Sequence, residues 1–229
     1  MTVGPASARA AAHVLVDDVE RPELRGSDRH HLERVLRLRP GTEITVGDGF
    51  GAWRLTRLAP SLDPVGPVQR VPEETNPVSI GCALTKGGKP ELAVQKLTEL
   101  GVDRIILFAS ARSVVRWDDG RVEANMERLR RVVESAVCQC RRAWSPTVTN
   151  FANFSSAVLL TGVALAAADG ERYDPNRHKV ILVGPEGGWS PEELAVSVPR
   201  VVLGPHILRA ETAALAAASI TTASRHYRT

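Results

Sequence analysis

Hydrophobic and polar positions follow two grammars along this chain. Between His13 and Val71 the apolar runs are short and alternate with polar residues. They predict strands at His13–Val16, Glu43–Val46, Ala52–Leu58 and Val65–Val71. One interval breaks to helical spacing: Ser27 opens a helix that sets Leu32, Val35 and Leu36 on one face and stops at Pro40-Gly41. Met1–Ala12 has no cap or periodicity and reads as a loose tail. Pro60–Pro77 is rich in proline and acid and reads as a connection. Beyond it strands and helices alternate, which is the mark of a parallel sheet in an α/β fold. Strands are predicted at Val78–Leu84, Ile105–Ala109, Pro146–Thr149, Val163–Ala168 and Val180–Val183. One helix starts at Pro90 and ends at Gly101. A second, Arg121–Arg142, turns Val122, Met126, Leu129, Val133, Ala136 and Val137 inward, and a third covers Glu211–Tyr227. The pattern divides the chain into a small β-rich module, residues 1–72, and an α/β domain, residues 73–229.

Two turns of one design stand out in the second domain. Val180–Val183 is apolar at every position, as in a strand buried on both faces, and runs into Gly184-Pro185-Glu186-Gly187-Gly188. Ser190, Pro191 and Glu193 then spell a helix start with a Ser-x-x-Glu capping box. Val201–Leu203 leads in the same way into Gly204-Pro205-His206-Ile207-Leu208-Arg209 and an alanine-rich helix. In α/β proteins ligands sit at such carboxyl ends of strands, and glycine lets backbone approach them. A third glycine cluster, Gly47–Gly51, is compatible with a class I methyltransferase loop or a hairpin; the alternation of Trp53, Arg54, Leu55 and Thr56 after it favours the hairpin.

Composition changes this picture little. Of 229 residues, 43% are hydrophobic and 4% aromatic, so a globular core is expected and stacking platforms for bases are few. No apolar stretch is long enough to span a bilayer. Cys82, Cys138 and Cys140 lack metal-ligand spacing and suit thiols of a cytoplasmic protein. The net charge is +3, and the segment Arg112–Arg142, with eight arginines and five acids, carries an excess of that size. Arginine forks suit phosphate. No Walker-type loop or zinc-binding set is present.

The ordered pair GPEGGWSPEEL and LGPHILRAETA resembles the signature of the RsmE-type 16S ribosomal RNA (uracil-N3) methyltransferases of the SPOUT superfamily. Thr85-Lys86 and Gln95–Gly101 match further family segments, and Gln139, Cys140 and Arg142 match a Glu-Gln-Ser/Cys-x-Arg stretch in which Cys138 replaces the family's glutamate. The resemblance implies a PUA-like β-barrel over residues 1–72 and a SPOUT-type parallel sheet with a C-terminal trefoil knot over 73–229. It implies S-adenosyl-L-methionine as cofactor, 16S rRNA of the small subunit as partner, a homodimer, and neither metal nor membrane. It further implies cofactor contacts from Gly184, Pro185, Glu186, Gly187, Gly188, Leu203, Gly204, Ile207, Leu208, Thr212 and Ala213. Glu186 is an acceptor near the cofactor or a turn residue. RNA contacts are expected from Lys86, Gln139, Arg141 and Arg142, and catalytic roles from Arg142 and Arg209. A cationic Arg209 at a helix N-terminus opposes the helix dipole, which points to a ligand-facing duty. The alternatives are a SPOUT enzyme acting on another RNA base and an RNA-binding protein without catalysis.

Overall fold

The computed structural model describes residues 4–5, 9–87, 89–117, 119–151 and 153–226, with the side chains of Lys89, Asp119, Phe151 and His226 excepted. Parts of the expected tail, Gly88 and the expected helix end Tyr227 lie outside the described residues. The chain forms two compact units. One takes the chain up to Glu74 together with Glu134–Ser145; the other takes Thr75–Val133 together with Pro146 onward. The end of a helix far along the chain thus belongs with the first unit.

The first unit holds β1 (His13–Leu15), β2 (Glu43–Gly47), β3 (Ala52–Arg57), β4 (Asp63–Pro64) and β5 (Gln69–Arg70). β1 runs parallel to β2, while β2 and β3 form an antiparallel hairpin from Glu43↔Arg57 to Gly47↔Trp53. Both short strands, β4 and β5, pair with β3. The glycine cluster is the hairpin turn: Asp48 Oδ1 accepts from the N–H groups of Phe50 (2.7 Å) and Ala52 (3.0 Å). Gly51 has φ +96°, and a Cβ there would strike the Trp144 ring at 2.7 Å, so close approach of this protein's own indole requires the glycine. Val14, Val16, Leu32, Ile44, Val46 and Leu58 fill the core.

One expectation fails here. Helix α1 (Gly26–His30) begins a residue earlier than predicted, Ser27 does not cap it, and it runs on into a π-helical turn, His31–Val35. Leu36 donates its N–H to His31 O, five residues back. The wider turn delays each side chain's return to the same face. Leu32 is therefore buried, whereas Val35 and Leu36 are 59% and 43% exposed.

The second unit is built on six parallel strands: β6 (Ser79–Ala83), β7 (Arg104–Phe108), β8 (Thr147–Phe151), β9 (Val163–Glu171), β10 (Val180–Val183) and β11 (Arg200–Val201). Their order is β11-β9-β10-β6-β7-β8. The helices are α2 (Lys89–Glu99), α3 (Asp119–Cys140), α4 (Phe154–Ala157), α5 (Pro191–Leu194) and α6 (Ala210–His226). The unit is an α/β fold on a parallel sheet, as the alternating pattern requires. β10 lies between β9 and β6, and all four of its residues are buried, which is why it is apolar throughout. On α3, Met126, Leu129, Val133, Ala136 and Val137 are buried and Val122 partly so, following the helical period. Gly101 closes the turn after α2 at φ +89°, its N–H donated to Thr98 O. Ala213, Ala214, Ala217 and Ala218 of α6 are buried within the chain, where α6 meets α2, β6 and β10. Small side chains there allow the helix to lie close on the sheet, so this face is spent inside the subunit.

Candidate functional site

Strands β6, β7 and β8 progress in one direction across the sheet, and β10 lies on the other side of β6. The boundary between β6 and β10 is a topological switch point, where a crevice opens at the carboxyl ends of the strands. A narrow cleft of about 20 Å³ lies there, lined among others by Leu84, Thr85, Val183, Gly184, Ala210 and Glu211. The head of the first glycine turn and the start of α6 thus share one cleft, although 26 residues separate Gly184 from Ala210. The cleft has room for little more than one water molecule.

The first turn is held from behind. Ser190 Oγ accepts from Glu193 N (3.2 Å) and Glu193 Oε2 accepts from Ser190 N (2.9 Å), completing the expected capping box on the one-turn helix α5. The buried Glu193 carboxylate also accepts from Ser110 Oγ (2.9 Å) and Ala111 N (2.9 Å), which ties the turn to the loop after β7. Trp189 is buried, donates Nε1–H to Ala166 O (2.9 Å) and stacks on Phe108 with ring centroids 6.1 Å apart. Arg112 donates from Nη1 to Gly187 O (3.0 Å).

Close packing within the chain accounts for two of the glycines. A Cβ on Gly184 would meet the Trp189 indole at 3.1 Å, and one on Gly187 would meet Arg112 Cβ at 3.3 Å. Both glycines are explained by this chain's own side chains. Gly188, at φ +68°, and Gly204 face open space, since a Cβ on either meets nothing within 4 Å. Pro185 is buried; Glu186, Gly187 and Gly188 are exposed.

The second turn is bare by contrast. Val202 N bonds to Glu171 O and Ala213 N to Arg209 O, and between these anchors Pro205, His206 and Ile207 are exposed. Ile207 is 95% exposed, while Leu203, Gly204 and Leu208 are half-buried. Arg209 is exposed at the N-terminus of α6, Thr212 is exposed, and Ala213 is buried. Backbone is thus open at Gly188 and at Gly204, and the second turn offers the apolar side chains of Leu203, Leu208 and the bare Ile207. The narrow cleft alone does not hold a cofactor.

Lys86 is exposed on the loop after β6. Gln139, Arg141 and Arg142 belong to the first unit, not to the unit that carries the glycine turns. They close α3 in a Schellman arrangement: Arg141 takes φ +57°, and Arg142 N donates to Val137 O (3.3 Å). Glycine is usual at the left-handed position, and a side chain there costs about 1 kcal/mol. His13, a residue the sequence did not single out, is buried with Nδ1 2.9 Å from Thr45 Oγ1. Burial first, then the Arg141 guanidinium, pushes its pKa down to about 4, so the imidazole is neutral at neutral pH. Burial pushes the Cys138 thiol up to about 11, so Cys138 is uncharged at neutral pH. Among the described residues no cluster of His, Cys, Asp and Glu would hold a metal ion, and no helix is long and apolar enough to cross a membrane.

A family model described as an RNA methyltransferase domain matches residues 72–222, and another described as an RNA methyltransferase PUA domain matches residues 24–61. A protein of Mycobacterium bovis named ribosomal RNA small subunit methyltransferase E is 34% identical over 217 residues, 84% of this chain and 82% of that protein. The chain belongs to this RNA methyltransferase family. Solved structures agree with the membership. A probable rRNA-methyltransferase from Porphyromonas gingivalis superposes with a TM-score of 0.74 at 26% identity, covering 95% of this chain and 100% of that one. The ribosomal RNA small subunit methyltransferase E of Neisseria gonorrhoeae, solved bound to S-adenosyl methionine, gives a TM-score of 0.71 at 25% identity, covering 93% and 97%. The family's PUA-type domain falls within the β-rich unit, and its methyltransferase domain covers the whole parallel sheet.

Proposed function

We propose that the chain transfers a methyl group from S-adenosyl-L-methionine to N3 of a uridine in 16S rRNA of the small ribosomal subunit. The observation that carries this reading is the meeting of Gly184 with the start of α6 at the sheet's switch point, in a chain of the RNA methyltransferase family. The backbones of Gly184–Gly188 and Leu203–Arg209, with Thr212 and Ala213, would hold the cofactor. When bound, its sulfonium supplies an electrophilic methyl group. Return of β11 past β10 to pair with β9, followed by α6 running back to β6 and β10, supports a C-terminal trefoil knot. We take the first unit as a PUA-like barrel that binds RNA, the working form as a cytoplasmic homodimer, and Lys86, Gln139, Arg141 and Arg142 as RNA contacts.

N3 of uracil carries an imide proton that must leave before its lone pair can accept the methyl group. A guanidinium beside O2 or O4 stabilises the resulting anion, an electrostatic task that needs a fixed charge. Arg142 or Arg209 is offered that task. The backbone of Arg142 is held by the Schellman closure of α3, and the Arg209 carbonyl accepts from Ala213 N at the start of α6. Cys138, an uncharged thiol, is no substitute for a carboxylate base at neutral pH.

The test is single-turnover methyl transfer to small-subunit particles that lack the modification, read by mass spectrometry of the rRNA. Arg142→Ala should slow transfer roughly ten- to a thousandfold while keeping cofactor affinity, because one lost charged contact to a developing anion is worth a few kcal/mol. Binding to the particles should weaken with salt as phosphate contacts release counterions. Wild-type rates in both Arg142→Ala and Arg209→Ala would remove the arginines from the chemistry.

A further inference from the structure

The largest open space in the second unit among the cavities described is not the cofactor cleft. A cavity of about 870 Å³ lies at the carboxyl ends of β7 and β8, between the loop after β7 and helices α4 and α5. Leu84 borders both this cavity and the narrow cleft at Gly184. Its size is in the range of small-molecule sites. Its walls combine one half-buried indole, Trp117, the buried ring of Phe154, two neutral amides, Asn150 and Asn153, and one exposed cation, Arg116.

The polar groups are not equally available. Glu193 faces the cavity, but its carboxylate is taken up by Ser110, Ala111 and Ser190. Asn153 Oδ1 accepts from Ser156 N (3.0 Å) and Ser156 Oγ (3.1 Å) and is committed to capping α4. Asn150 Oδ1 is different: it is buried and has no hydrogen-bond partner in the described structure. A buried acceptor without a donor costs free energy, so a bound group that brings an N–H is favoured there. A flat ring to lie on the indole, an N–H for Asn150 and a phosphate for Arg116 together describe a nucleotide.

We infer that this cavity receives an unstacked RNA base next to the methylated one, stacked on Trp117 and donating an edge N–H to Asn150 Oδ1. The inference rests on the reading of the chain as an rRNA methyltransferase. The pocket does not suit the target base itself. Attack by N3 uses the in-plane lone pair, so the target's Watson–Crick edge must face the methyl donor. A base whose edge is buried against Asn150 is held the wrong way for that. The cavity therefore selects sequence context beside the target, as base-extruding enzymes do with flanking nucleotides.

The experiment titrates the full ¹⁵N-labelled chain with AMP, GMP, CMP and UMP and follows its four tryptophan indole N–H signals, Trp117 being assigned by Trp117→Phe. The Trp117 signal should move saturably with at least one nucleotide, and Asn150→Ala should weaken that nucleotide about tenfold, the size of one hydrogen bond to a buried acceptor. Affinity for S-adenosyl-L-methionine should be unchanged. With small-subunit particles, Asn150→Ala and the more exposed Trp117→Ala should each raise KM about tenfold, the range of one base-stacking or edge contact. A Trp117 signal that never moves, or that moves identically in Asn150→Ala, overturns the inference, as does a wild-type KM in Trp117→Ala. If the nucleotide binds at Trp117 but the wild-type chain methylates no ribosomal RNA, the pocket stands and the proposed function fails.

Discussion

The two glycine turns have the same design in sequence and opposite circumstances in the fold. Gly184–Ser190 is fixed by a stacked indole, a buried carboxylate with three donor groups and an arginine on its carbonyl. Leu203–Arg209 is anchored at its two ends and otherwise bare, with Ile207 95% exposed. Gly184 and Gly187 of the first turn pack closely against this chain's own side chains; Gly188, and Gly204 of the second turn, face open space. The contrast teaches that a shared motif grammar does not imply a shared physical cause. One turn is fixed by contacts within the chain, and the other leaves Ile207 without such contacts.

The contrast is broken most directly at Glu193. Glu193→Ala strands the Ser110, Ala111 and Ser190 donors, and about 3 kcal/mol of stability should be lost. A denaturation midpoint within experimental scatter of the wild type would show that the first turn is not fixed as described. A third turn, at the end of α3, gives a reference that depends on pH. The folded-state pKa of His13 is depressed to about 4 from 6.5. Its contribution is therefore present above pH 6.5 and is lost as pH falls through the folded value, in all about 3 kcal/mol. Urea melts from pH 7 to 4, reported by Trp53 and Trp144 fluorescence, should show this slope, and His13→Gln should flatten it. Next comes Gly184→Ala, which presses a methyl group onto Trp189 and should cost about 2 kcal/mol with a change in indole emission. At the second turn the order reverses. Ile207→Ser should change stability by less than about 0.5 kcal/mol. It should lower S-adenosyl-L-methionine affinity about tenfold, as measured by calorimetry, if its side chain covers the cofactor. An effect of opposite sign is expected at Arg141→Gly, which relieves a left-handed backbone and should raise stability by about 1 kcal/mol.

Much of the frame was legible before any coordinates. Val180–Val183 is apolar without alternation because β10 is covered on both faces, and α3 shows its period because one face alone is buried. Asp48 announced the hairpin, and Ser190 with Glu193 announced the cap of α5. The failures have physical reasons. The buried face of α1 departs from the helical spacing because a π-helical turn changes the angular step, and no residue type marks that turn. The Trp189 ring beside Gly184 and the Arg112 side chain beside Gly187 were not legible, because glycine declares only that space is short, not who occupies it. His13 was invisible because its partner Thr45 lies 32 residues away and the Arg141 charge arrives from the far end of α3. Residues of the site proposed for RNA, Gln139, Arg141 and Arg142, were legible as a motif, but not their membership of the first unit.

The place of β10 at the middle of the sheet also orders events in time. Val180 pairs with Ser79, about a hundred residues earlier, so the central ladder is among the last contacts the chain can close and loop closure opposes it until then. β6 and β9 are synthesised before β10 exists; until it arrives β6 keeps one unpaired edge, and β9, whose other neighbour β11 comes later still, keeps both. During translation those edges are templates for pairing with another chain. Both glycine turns emerge after Val180, so the ligand-facing end of the sheet takes shape only once its nascent core has been sealed.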